Sequence, residues 1–262
     1  MKRIFVVLLA LVCCVTAFTT LAEDYSGYTT EELLAMSAAI NAELNARIAA
    51  GRMVSPEADF LWASDGEQVQ INKYVGPGGD VVIPDEIDGL PVTRIGAGAF
   101  SNNPAITSVT LPSGLRSIGD NAFVYVKDSQ EVLNLPASLE YMGQIAFHGA
   151  SYQGVVINSS VKDGGENVFS NSKLTFVYIR EGAAPELGYW AFSRLSSLQI
   201  AIIPASVVSI GDKAFCDCPN LKIITPAGSA AEAFAREHFI PVETDTYELY
   251  AAQYDALYPM PE

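Results

Sequence analysis

Two histidines, four cysteines and one tight acidic cluster are the residues of this 262-residue chain whose chemistry could reach beyond packing. A catalytic histidine needs a nucleophile or carboxylate within hydrogen-bond reach, and a zinc site needs three or four convergent ligands. His148 follows Phe147 on a loop and His238 lies near the end of a helical stretch; no Cys, Ser-x-Gly or carboxylate pattern accompanies either. Cys216 and Cys218 stand one residue apart, a spacing at which a disulfide is strained, and no further ligand is close enough in sequence to complete a zinc site. Asp85, Glu86 and Asp88 with Gly89 offer oxygen ligands for calcium, but they lack the alternating ligand run of an EF-hand loop and read as a solvated turn. The loop Gly76-Pro77-Gly78-Gly79 has the composition of a phosphate-binding loop without its Lys or Ser/Thr. The expectation is a chain with no catalytic residues, no metal site and no cofactor, and so not an enzyme.

The elements that position these residues are set by a repeat. RIGAGAF, SIGDNAF, YMGQIAF, DGGENVF, ELGYWAF and SIGDKAF end in Phe100, Phe123, Phe147, Phe169, Phe192 and Phe215, at nearly even steps along the chain. Four positions before each Phe stands a glycine: Gly96, Gly119, Gly143, Gly165, Gly188 and Gly211. A period of this size with recurring apolar columns predicts a solenoid in which each unit buries its apolar face only against its neighbours. The Phe rings are expected to pile into a column, with small residues (Ala99, Ala122, Ala146, Ala191, Ala214, and Val168 in one copy) letting backbones approach. The glycine column marks a bend that needs either positive φ or space where a Cβ would stand. A short β-branched run recurs after each polar loop: SVTLP at 108–112, VLNLP at 132–136, VVIN at 155–158, FVYI at 176–179, IAIIP at 200–204 and KIITP at 222–226. One strand per coil, stacked in parallel, is predicted, with Pro112, Pro136, Pro204 and Pro226 at or past the strand ends, where no ladder donor is needed.

A strand ending in Leu/Ile-Pro, then Ser-x-x-x-Ile-Gly-x-x-Ala-Phe, then x-x-Cys-x-x-Leu resembles the BspA-type leucine-rich repeat of bacterial secreted and surface proteins. The copy that matches best is IPASVVSIGDKAFCDCPNL, Ile203 to Leu221, and the resemblance runs from about Val81 to Pro226. It implies right-stacked coils with a parallel β-sheet, used for adhesion or protein binding, and carries no catalytic residues. Cys218 falls where that family often buries a cysteine. The copy SSVKDGGENVF departs most, with Gly164 in the aliphatic position and no preceding proline, so a distorted coil is expected there.

Alternation along each strand separates two faces. Leu111, Leu135, Ile157, Ile179 and Ile203, with Val109, Leu133, Val155, Val177 and Ala201, are assigned to the interior. The residues between them point outward as two rows, Thr110, Asn134, Val156, Tyr178, Ile202 and Ser108, Val132, Gly154, Phe176, Ile200. Val156, Phe176, Tyr178, Ile200 and Ile202 make the later coils of this face apolar, and an exposed patch of that kind marks a contact site. Its mixed aliphatic character favours a protein partner or a second copy; a planar row of exposed aromatics would favour a glycan, and a structural spacer needs no ligand. The tail tyrosines covering the patch is the alternative.

The ends of the chain complete the organisation. Met-Lys-Arg, the apolar run Ile4 to Phe18 and Thr20-Leu21-Ala22 have the form of a signal peptide over 1–22, cleaved before Glu23 and leaving a secreted or surface-associated protein. The whole chain carries a net charge of −15, and loss of Lys2 and Arg3 makes it more acidic, which repels nucleic acid. No second apolar run long enough to span a membrane follows. Residues 23–56 are read as a helical cap, with Thr29 and Glu32 as a capping box, apolar residues at helical spacing and Gly51 as the stop. Residues 57–226 form the solenoid, opened by a hairpin about Ser64-Asp65-Gly66. In 227–262 a helix begins near Gly228 and runs to about His238, and Tyr247, Tyr250, Tyr254 and Tyr258 form either one face of a second helix or part of a loose acidic tail.

Overall fold

The computed structural model describes residues 54–260, apart from 128–131, 159, 160, 162, 184 and 185. The leader over 1–22 and the capping helix expected about Thr29 to Gly51 lie outside the described residues. The hairpin is present: β1 (Phe60–Ser64) pairs antiparallel with β2 (Val69–Tyr74). Its turn is closed by the Asp65 carboxylate, which accepts from the backbone N–H groups of Glu67 and Gln68 at 3.0 Å each, while Gly66 supplies φ +93°.

From there the chain winds into a solenoid whose coils carry two parallel ladders, where the sequence pattern shows one. β3 (Gly79–Val82) pairs with β6 (Ile106–Thr110). β8 (Val132–Leu135), β10 (Gly154–Ile157), β12 (Phe176–Ile179), β14 (Ile200–Ile202), β16 (Lys222–Ile224) and β17 (Val242–Glu243) continue as one parallel sheet in that order. The second ladder starts from β2 and β5 (Leu90–Ile95), flanked by the short β4 (Glu86–Ile87), and runs on through the two-residue strands β7 (Ser117–Ile118), β9 (Tyr141–Met142) and β11 (Asp163–Gly164). β13 (Glu186–Leu187) and β15 (Ser209–Ile210) repeat it in the last coils. Strands this short carry no alternating pattern, which is why they escape a sequence reading.

The glycine column sits at the end of that second ladder, and the structure decides between its two explanations. None of the six glycines has left-handed φ. A Cβ on Gly119 would lie 2.7 Å from Ala97 N, on Gly143 2.4 Å from Asp120 N, and on Gly165 2.6 Å from Gln144 N. The coils therefore meet backbone to backbone here, held by bonds from Gly119 N to Ile95 O, Gly143 N to Ile118 O and Gly165 N to Met142 O, each 2.8 Å. Left-handed residues do occur, but two positions before and after the Phe: Asn121 and Tyr125 about Phe123, Asn167 and Asn171 about Phe169, Trp190 and Arg194 about Phe192. In that arc, alternate N–H groups reach the next coil, as Asn121, Phe123 and Tyr125 do to Gln144 O, Ala146 O and His148 O at 3.0, 2.7 and 3.0 Å.

The Phe column forms as expected. Successive rings of Phe100, Phe123, Phe147, Phe169, Phe192 and Phe215 stack with centroids 5.0 to 5.3 Å apart and planes within 13°. This is close to the spacing of neighbouring strands, so ring stacking and strand pairing share one repeat. The fourth copy keeps both columns in step, with Phe169 stacked on Phe147 and Phe192, and Gly165 against Gly143. At the far end, α1 (Ala230–Glu237) places Phe234 edge-on against Phe215, and Ser229 caps it by accepting from Glu232 N at 3.1 Å. A second helix, α2 (Tyr247–Leu257), follows β17, so the tyrosine-bearing segment is helical.

Candidate binding face

The register of the parallel sheet aligns Val132, Gly154, Phe176, Ile200 and Lys222 in one row, and Asn134, Val156, Tyr178, Ile202 and Ile224 in the next. Behind them Leu133, Val155, Val177, Ala201 and Ile223 belong to the continuous core with the Phe column. The alternation read from the sequence is thus the one the fold adopts.

The patch expected to be exposed is covered. Val156, Tyr178, Ile202 and Ile224 are fully buried, in a cluster separate from the main core, with Val132, Phe176 and Ile200 at its edge. The cover is α2, which lays Tyr247, Tyr250, Ala251, Tyr254 and, just past its end, Tyr258 onto the sheet. Phe176 leans over Gly154, where a Cβ would lie 2.2 Å from the ring, and meets Tyr258 stacked at 5.6 Å and Tyr254 edge-on at 5.2 Å. Tyr178 packs on Tyr254 at 5.5 Å. Apolar rows of this size are costly in water, and the nearest amphipathic segment removes that cost.

Polar contacts fix the helix at its C-terminal end. Arg180 pairs with Asp255 at 2.9 Å and donates to the carbonyl of Tyr258 at 2.6 Å and to Asn158 Oδ1 at 2.9 Å. The Tyr178 hydroxyl donates to Asp255 at 2.6 Å. Asn134 Nδ2 reaches the carbonyl of Pro259 at 3.3 Å. At the other end Lys222 pairs with Glu243 at 2.7 Å, and that contact, with the Thr246 hydroxyl, holds the Glu243 carboxyl below its ordinary range. Burial pushes the tyrosine hydroxyls the other way: Tyr247 and Tyr258 rise to about 12, and Tyr178 and Tyr254 rise further. Arg180, Asn158 and Lys222 are absent from the rows assigned by sequence. Arg180 and Asn158 continue them two residues beyond Tyr178 and Val156, past the apolar strand ends, where a period of two carried onward finds them, and Lys222 opens the following strand, one coil beyond Ile200 in the same row.

The other residues with chemical potential have structural work. His148 Nδ1 lies 2.7 Å from Ser170 Oγ, but that oxygen is 3.0 Å from the Asn167 carbonyl, which can only accept, so the hydroxyl proton is committed there and the imidazole donates. Ser170 is buried, and burial followed by Arg194 lowers the His148 pKa. His238 stacks on Phe234 at 4.1 Å and bonds to its carbonyl. Cys216 and Cys218 are free thiols; Cys218 Sγ donates to Phe192 O at 3.1 Å, and burial raises it to about 11. The Asp85 carboxylate accepts from Ser113 N at 2.8 Å and so ties one coil's turn to the next. In the glycine loop a Cβ on Gly78 would strike Ala105 O at 2.4 Å, and its N–H donates to the Tyr74 hydroxyl at 3.1 Å. No group of three or more His, Cys, Asp or Glu side chains able to hold a metal occurs among the described residues. No helix among them is long and apolar enough to cross a membrane.

Stacked coils of near-constant length, each adding a strand to the parallel sheet and a Phe to the buried column, define a leucine-rich repeat solenoid. Residues 91–229, more than half of the chain, match the BspA type leucine rich repeat region in six copies, and the chain belongs to that family. Among solved structures it is similar to the leucine-rich repeat protein TpLRR of T. pallidum, with 23% identity, a TM-score of 0.49 and coverage of 73% of this chain and 98% of that one. It is also similar to the pneumococcal vaccine antigen PcpA, with 19% identity, a TM-score of 0.57 and coverage of 72% of this chain and 49% of that one. The matched region thus corresponds to about half of PcpA. At that identity the likeness to PcpA is one of fold. No curated protein sequence matches the chain.

Proposed function

We propose that this is an exported, non-catalytic binding protein that presents its outer sheet face to a segment of another protein. The contact surface is Val156, Phe176, Tyr178, Ile200 and Ile202, open to a partner once α2 lifts from it. One observation carries this reading: the apolar rows of the sheet lie outside the solenoid core, and they already accommodate a helix. In this reading residues 1–22 are a leader removed on export, residues 23–56 cap the first coil, 57–226 are the repeat array and 227–262 close its far end. An extracellular or cell-surface location agrees with the leader, with the family and with the likeness to a vaccine antigen.

A glycan surface is disfavoured by the placement of the exposed aromatics. Tyr125, Tyr141, Tyr189 and Phe239 are the exposed rings among the described residues, and each stands at a different position of its coil or on the end cap, so they make no continuous stacking row. The test is capture of surface proteins by the full chain, compared with Phe176→Ser combined with Ile202→Ser. Loss of a specifically captured protein, with circular dichroism showing an intact solenoid, supports the assignment. Unchanged capture by the folded double variant removes these residues from the site.

A further inference from the structure

Helix α2 covers an apolar surface that lies outside the solenoid core. The core behind the sheet is filled by the Phe column and the inward rows, and no residue of α2 belongs to it. The tyrosines of α2 and the Tyr258 that follows gather only with the outward rows, and residues 244–246 are the whole tether between β17 and the helix. The helix is seated as a bound peptide is, with an aromatic face on an apolar bed and a carboxylate on a cation. Two cations flank that bed: Arg180, with a side chain only 17% exposed, pairs with Asp255 of α2, and Lys222, at 31%, pairs with Glu243 of the adjoining strand β17 and keeps that partner whether or not α2 is seated. In a chain with twice as many acidic as basic residues, a largely buried cation whose carboxylate partner comes from the occupant of the groove is a selective feature.

We propose that the outer sheet face is a docking groove for an acidic, tyrosine-bearing helical segment of a partner protein, and that α2 is its resident occupant, which must leave before the partner can seat. This rests on the reading of the face as a binding surface and names the chemistry of its partner. The tyrosines of α2 define the apolar half of what the groove accepts, and Asp255 defines the polar half, since it satisfies both the Arg180 guanidinium and the Tyr178 hydroxyl. A short tether holds α2 at an effective concentration on the order of millimolar, so the closed chain resists all but tight or locally concentrated competitors.

The experiment uses the full chain and a fluorescent synthetic peptide with the sequence of residues 244–260. Asp255→Arg sets a guanidinium against Arg180, where an ion pair of 2.9 Å now stands, and takes away the acceptor of Tyr178. Fluorescence anisotropy is expected to show the Asp255→Arg chain taking up the peptide at concentrations about 100-fold lower than the wild-type chain requires. Adding Arg180→Asp to Asp255→Arg restores an ion pair, and uptake returns to the wild-type level. The proposal is overturned if the Asp255→Arg chain takes up no peptide while the double variant is folded, or if the wild-type chain takes it up as readily. It is also overturned if the wild-type chain sediments as a dimer that dissociates on Asp255→Arg, since the occupant would then be a second copy. A protein captured through Phe176 and Ile202 that does not compete with the peptide refutes this partner chemistry and leaves the binding surface in place.

Discussion

Replacing Gly143 by Ala tests the reason for the glycine column. A Cβ there would lie 2.4 Å from Asp120 N, 2.4 Å from Asp120 Oδ1 and 2.6 Å from Gly119 C, whereas ordinary contact begins at 3.4 Å. The coils must separate locally by roughly 1 Å, at a cost of about 1–3 kcal/mol for overpacking. Two bonds bridge this point, Gly143 N to Ile118 O and Gln144 N to Asp120 Oδ1, both 2.8 Å. A shift of that size takes them past hydrogen-bonding distance, each worth about 1 kcal/mol net. Against this, Ala restricts the unfolded chain and returns about 0.4–1 kcal/mol. The net expectation is a loss of about 2–4 kcal/mol. Urea unfolding reads it as a lowered midpoint, with Gly114→Ala as the control. Gly114 also has no left-handed φ, and a Cβ on it meets nothing within 4 Å, so only the small gain is expected there. Equal stability of the Gly143 and Gly114 variants would refute backbone contact as the cause.

Phe239 holds a left-handed φ of +55° at the end of α1 while 94% of it is exposed, so Phe239→Gly relieves the backbone without losing packing. The thermal midpoint is expected to rise, by about 0.5–1 kcal/mol of stability once the greater freedom of the unfolded glycine is deducted; a fall would show that the ring contributes contacts. The tyrosines of the α2 face give docking a pH limit. With the segment released, their hydroxyls and that of Tyr178 on the bared sheet titrate near the ordinary value of about 10, but with the helix seated Tyr247 and Tyr258 are raised to about 12, with Tyr178 and Tyr254 higher. Because the released form gives up protons first, docking is fully stable below about pH 10 and weakens as pH climbs toward 12. Tyrosinate absorbance should therefore show a late, cooperative group, and a single transition at the ordinary value would contradict the packing of α2.

The repeat, the Phe column and the inward and outward rows were legible in the sequence because each is a periodic consequence of burial. A Phe returning at near-constant spacing has one economical arrangement, and a period of two along a strand separates the faces whatever lies beyond them. The two-residue strands were not legible, since Ser117–Ile118 and Tyr141–Met142 are too short to show a pattern. Nor were the left-handed positions, which Asn121, Ile145 and Arg194 occupy alike because the demand comes from hydrogen bonds to the next coil. The sequence left two causes open for Gly143, and only the stacked backbone of Asp120 chooses between them. The same division runs through the candidate site. Residue types alone marked Val156, Phe176, Tyr178, Ile200 and Ile202 as an apolar surface, but what lies over them depends on where residues 247–260 return in space. The contact of Arg180 with Asp255 joins positions far apart in the chain, and nothing in the local pattern of either residue encodes it; the ion pair and the cover over the sheet exist only because the coils place Arg180 at the rim of a groove that the last helix crosses.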